Sequence, residues 1–162
     1  MRLFRFVFLL TGCIVTMGCG PSKDEIRAVV VDVLEEGSAI QRFTKGETIG
    51  PYSPAVTAGR FIFLSGQIGM DPETREFAGK DIDSQTKQVL ENISGLLREV
   101  GLDSSSVIQC TVYLTDIRDY QKMNLLYGGY FGDGTYPART TVQVAALPAG
   151  ALIEIAAIAY KE

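Results

Sequence analysis

Two charged residues stand inside runs that otherwise read as strands. Arg139 follows Tyr136-Pro137-Ala138 and opens an alternating stretch, with Thr140, Val142 and Val144 on one face and Thr141 and Gln143 on the other. Pro137 fixes its own φ and biases Tyr136 towards extended backbone, so the strand is entered from a set direction. A planar guanidinium in that place suits a small carboxylate held by two parallel hydrogen bonds. The plainer use of the same residue is a salt bridge at a surface or interface. Glu154 lies in the apolar run LIEIAAIA. A carboxylate there is costly unless a cation or a hydrogen-bond donor answers it. A hairpin return through Leu147-Pro148-Ala149-Gly150 would set strand 151–160 beside strand 139–144 and bring Arg139 and Glu154 into one pocket. Such a pair either serves chemistry on a bound carboxylate or is a buried ion pair with no chemistry.

The elements that must position these residues follow from periodicity and turn chemistry. Strands are expected at 38–43, 55–57, 60–65, 106–114, 139–144 and 151–160. The stretch GETIGPYSP, 46–54, has the prolines and glycines of a loop, and loops of this kind often carry ligand contacts. Residues 71–79 read as a hairpin-like excursion. Ile82, Thr86, Val89, Leu90, Ile93, Leu96, Leu97 and Val100 form one apolar stripe, so 83–100 is a helix, stopped by Gly101. A second helix is expected at 119–131. Its Tyr120, Met123, Leu126, Tyr127 and Tyr130 read as core rather than as a stacking platform. The glycine-rich turn 132–135 is not a phosphate loop, because no Gly-Lys-Ser/Thr follows. This order is α+β, a mixed sheet with both helices on one face. Val142, Val144, Ile153, Ile155 and Ile158 leave apolar side chains for the other face as well, a sign of oligomerisation.

Composition narrows the chemistry. The chain has 162 residues, 46% hydrophobic and 21% charged, with a net charge of −4 and no histidine. Missing histidine removes Ser-His-Asp and Cys-His catalysis and most zinc sites. No basic run marks a nucleic-acid partner. The cysteines are Cys13, Cys19 and Cys110; the last sits mid-strand and reads as a small buried side chain. Residues 1–19 have Arg2 and Arg5 followed by an apolar run, as in an export signal. Gly-Cys at its end resembles a bacterial lipoprotein signal. Cys19 has the better length for lipidation and Cys13 the better local motif, so the chain is expected to be exported and anchored to a membrane through an N-terminal lipid. An uncleaved anchor helix is the alternative. Residues 20–37 form a tether in which 24–36 reads as a short helix or, with Val29-Val30-Val31, equally as a strand.

GPYSPAV (50–56), FLSGQIG (63–69), the helix bearing Asn124, YPART (136–140), VAALP (144–148) and IEIAAIA (153–159) occur in an order that resembles the RidA/YjgF family of enamine and imine deaminases. The likeness spans 38–162. It implies a chorismate-mutase-like α+β fold, a homotrimer and active sites in clefts between subunits. It also implies hydrolysis of 2-imino acids, formed from 2-aminoacrylate-type enamines, to 2-oxo acids and ammonia, with neither metal nor organic cofactor. By the same resemblance Arg139 binds the substrate carboxylate and Glu154 positions or activates water. Tyr52 donates a hydrogen bond and covers the substrate, Ser65 and Gly66 line the cleft, and Asn124 stands near it. Thr141 departs from the pattern, because many members carry cysteine there. Its hydroxyl forms no thiolate at neutral pH, which leaves it a role in substrate orientation.

Overall fold

The computed structural model describes residues 22–23, 40–43, 48–132 and 136–162. The leader with Cys13 and Cys19, the segment 24–36 and the tip of the turn at 133–135 lie outside the described residues. The chain divides into two units, Met1–Ser38 and Ala39–Glu162. The second carries β1 (Gln41–Phe43), β2 (Ala55–Ala58), β3 (Phe61–Ile68), α1 (Ile82–Glu99), β4 (Val107–Leu114), α2 (Tyr120–Phe131), β5 (Ala138–Gln143) and β6 (Ile153–Tyr160). The strands form one sheet in the order β1-β2-β3-β6-β4-β5. Among the described strands only the β4–β5 pair is parallel, as the intervening helix requires.

Alternation along the strands makes two chemically different faces. On β6, Ile153, Ile155, Ala157 and Ala159 are buried, and Glu154, Ala156, Ile158 and Tyr160 take the other face. Ile62, Leu64, Cys110, Val112 and Leu114 extend the buried face across the neighbouring strands. The helices cover that face with Val89, Leu90, Ile93 and Leu97 of α1 and Met123, Tyr127 and Phe131 of α2. Each large aliphatic side chain withdrawn from water here contributes about 1.5–3 kcal/mol relative to exposure. The opposite face leaves Phe61, Phe63 and Val142 exposed, with Phe61 edge-on to Tyr160.

Local chemistry sets the ends of the elements. Asp81 caps α1, its carboxylate accepting from the Ser84 N–H at 2.9 Å, and those bonds hold its pKa below the usual range. At the other end Gly101 (φ 77°) turns the chain so that the Gly101 N–H donates to the Arg98 carbonyl and the Leu102 N–H to the Leu97 carbonyl. The amide of buried Gln85 joins α1 to the sheet. It donates to the Gly79 carbonyl and accepts the Leu152 N–H at 2.9 Å, just before β6 begins.

The expected hairpin of the last two strands is not formed. β6 enters the middle of the sheet between β3 and β4, and β5 lies beyond β4 at the edge. The reason is the crossover: α2 carries the chain over the sheet and delivers β5 parallel to β4 on its outer side, so the return must pass β4 to find β3.

Candidate active site

Arg139 is the second residue of β5, opposite Cys110, which in turn faces Ala157 of β6. Cys110 and Ala157 are buried under the helices, so this register turns Arg139 towards α2. Its guanidinium carbon lies 4.5 Å from the Tyr127 ring centroid and 5.6 Å from that of Tyr120. Nη2 donates to the Tyr120 hydroxyl at 3.2 Å, and Nη1 stands 4.0 Å from Met123 Sδ. Residues 120, 123 and 127 share one face of α2 by helical spacing. The cation therefore rests on aromatic faces, which stabilise it while removing part of its water. Among the described residues no carboxylate contacts it.

An open cleft of about 620 Å³ begins at Arg139 and is lined by Ile117, Arg118, Tyr120, Gln121 and Thr141. Thr141 follows Arg139 on the same strand face, and its hydroxyl is buried without a hydrogen-bond partner, as is the Asn124 side-chain oxygen. Such groups are costly inside a finished site and are natural places for a ligand or water to bond. The Asn124 amide and then Arg139 hold the Tyr120 phenol below its ordinary pKa. Burial, together with the Cys110 thiol below it, pushes Tyr127 well up. Burial likewise pushes up Cys110, which stays a neutral thiol.

The second group of residues gathers around Glu154. The β3–β6 ladder slips between Leu64 and Gln67, which lifts Ser65 and Gly66 out of register opposite β6. The carboxylate of Glu154 comes so close to Gly66 that a Cβ there would overlap its Oε1 and Cδ. Ser65 fastens the preceding loop: its N–H donates to the Pro54 carbonyl at 2.9 Å and its hydroxyl to the Ser53 carbonyl at 2.7 Å. Tyr52 stands exposed on that loop. Glu154 is half-buried, and among the described residues no donor or cation answers it, so burial raises its pKa.

Arg139, Thr141 and Asn124 are thus brought together, and so are Glu154, Gly66, Ser65 and the Tyr52 loop, but the two groups do not meet in one chain. This corrects the shared pocket expected from adjacent strands. Arg139 is level with Ala157, on the helix face, and Glu154 stands an odd number of residues before Ala157 on β6, on the opposite face. Two strand spacings, roughly 10 Å, and a similar distance along the strands also separate them. Sequence reading assigned Tyr120 and Tyr127 to the core and did not connect either with Arg139. Hydroxyls seven residues apart on an otherwise apolar helix face were the available signal.

The fold and these groups define a class: a small α+β protein whose sheet carries a guanidinium on its helix side and a carboxylate on the opposite side. The chain belongs to the RidA/YjgF family, whose profile, described as Endoribonuclease L-PSP, matches residues 43–161. A RutC family protein of Pyrococcus abyssi is 53% identical over 114 residues, 70% of this chain and 89% of its own. The human 2-iminobutanoate/2-iminopropanoate deaminase is 45% identical over 113 residues, 70% of this chain and 82% of its own. The crystal structure of Escherichia coli TdcF with bound serine is 37% identical, covers 76% of this chain and 98% of its own, and has a TM-score of 0.69.

Proposed function

We propose that the chain hydrolyses 2-imino acids of the 2-aminoacrylate type to 2-oxo acids and ammonia, as a homotrimer with sites between copies. The observation that carries this reading is Arg139, a guanidinium held on aromatic faces at the head of an open cleft, with no carboxylate against it among the described residues. The deaminase name of the human relative supports the chemistry, and the serine bound in TdcF supports a cleft for small amino-acid-like carboxylates. Opposite-face half-sites are completed when the bare face of one copy packs on the Arg139 edge of the next, and the exposed Phe61 and Phe63 supply the apolar area for that contact.

In this reading Arg139 clamps the substrate carboxylate by two hydrogen bonds and fixes the imine carbon. Glu154 of the neighbouring copy accepts a proton from water as the oxygen attacks that carbon, giving a tetrahedral carbinolamine. Glu154 returns that proton to the nitrogen of the carbinolamine formed from the protonated imine. The C–N bond then breaks with its electron pair leaving on ammonia, while the carbinol oxygen gives up its own proton to Glu154 as the C=O bond of the 2-oxo acid forms. Tyr52 donates a hydrogen bond and covers the substrate, Ser65 and Gly66 shape the wall, and Asn124 and Thr141 orient it. No cofactor takes part in these steps.

The test generates 2-aminoacrylate with a dehydratase and follows 2-oxo acid formation. Acceleration that is lost in Arg139→Ala supports the proposal; no acceleration, or full activity in the variant, defeats it. RNA cleavage belongs in the same experiment because of the family's description, although a net charge of −4 offers little to a polyanion. The bound serine of TdcF also favours a second reading, a non-catalytic carboxylate sensor; ligand binding that requires Arg139, without turnover of any imine, would select it. We further propose export and lipid anchoring at Cys19, with Cys13 as the alternative. Lipid labelling abolished by Cys19→Ala or Cys13→Ala tests it, and an unlabelled chain in the cytoplasmic fraction overturns it.

A further inference from the structure

The Arg139 cleft holds a second guanidinium. Arg118, in the short turn Ile117–Asp119 ahead of α2, lines the same cleft, and Gln121 adds an amide beside it. Among the described residues no acidic side chain lines the cleft, although Asp116 pairs with Arg118 from outside the lining, so the wall itself presents two guanidinium groups to one open space.

Arg118 is 88% exposed, yet it is not loose. Asp116 grips it along one edge: Nε donates to both carboxylate oxygens and Nη2 to one of them. The same carboxylate accepts the Arg118 N–H at 2.9 Å, so side chain and turn are fixed together. The Arg118 pair holds Asp116 ionised with a pKa of about 2, so this grip persists through the neutral range, and Asp119 adds a weaker attraction. Three of the five guanidinium N–H donors are not needed for this edge, including both on Nη1. A guanidinium oriented in advance by a carboxylate loses less entropy when it takes a second anion than a free one does.

We propose that Arg118 is a specificity residue that binds a second carboxylate at the far end of the substrate, so that the cleft prefers dicarboxylic 2-imino and 2-oxo acids over monocarboxylic ones of equal length. This rests on the carboxylate-binding reading of Arg139 given above. The 2-carboxylate meets Arg139, and the chain of the acid runs past Tyr120 and Gln121 towards Arg118.

Calorimetric titration of the full chain with 2-oxoglutarate and 2-oxopentanoate tests it, because the two differ only in the terminal carboxylate. The proposal requires a dissociation constant roughly fivefold or more lower for the diacid, the size of one partly exposed charge-assisted contact. That ratio should fall to about one in Arg118→Ala and recover in part in Arg118→Lys. A ratio near one in the unaltered chain, or a ratio that survives Arg118→Ala, overturns it. Turnover of the imines of glutamate and norvaline, released by an amino-acid oxidase, separates the two readings. If neither of these imines nor 2-aminoacrylate is hydrolysed faster than in buffer, the deaminase reading fails, and the binding ratio still decides the role of Arg118.

Discussion

A guanidinium packed on the faces of Tyr120 and Tyr127 keeps its charge while shedding part of its water, which strengthens its hold on any anion that reaches it. Replacing Arg139 by Ala should lower kcat/KM about a hundredfold or more, the size of losing a bidentate charge-assisted pair. Arg139→Lys keeps the charge but loses the fork, and should fall between the two; steady-state kinetics on one imine ranks the three proteins. Under the proposed mechanism Glu154 sets the pH response. Burial raises its pKa, and as a base it must be ionised, so kcat/KM should decline as pH falls through a point above the ordinary carboxylate range. Glu154→Gln should remove that acid limb together with most of the activity. A limb at the ordinary carboxylate position in the unaltered enzyme would show that burial is offset by another group in the assembled site.

The elements were legible to different degrees. The apolar stripe expected over 83–100 corresponds to Ile82–Glu99, because a helix declares its buried face every third or fourth residue. The place of Arg139 at the opening of a strand was legible from the proline turn before it. The neighbours of each strand were not, because nothing in residues 144–152 tells a hairpin from a return that passes over β4. The aromatic bed of Arg139 was equally hidden, since tyrosines at helical spacing read as core until a strand lays a cation across them. Two glycines separate site geometry from helix stability. Gly66→Ala pushes against Glu154 and should lower both Tm and kcat/KM. Gly101→Ala strains a φ of 77° at the end of α1, at a cost of about 1 kcal/mol, and should lower Tm alone. Thermal melts and kinetics on both variants check the contrast.

At the scale of the whole molecule, the bare sheet face and the split site make one statement about assembly. Phe63→Glu places a charge in the middle of the exposed apolar face and should yield monomers by sedimentation. Mixing Arg139→Ala with Glu154→Gln chains and letting subunits exchange should restore roughly a quarter of full activity, the chance that one intact residue of each kind meets at a random contact. Mixtures that stay as inactive as their components would place both groups within a single copy. Because parity along β6 puts the acid on the reverse side of the sheet from the cation, under the proposed mechanism a solitary subunit would seize a carboxylate yet lack the base that draws a proton from water. Catalysis is then a property of the company a chain keeps. Specific activity should drop on dilution in step with dissociation, and newly made copies should stay silent until they find one another.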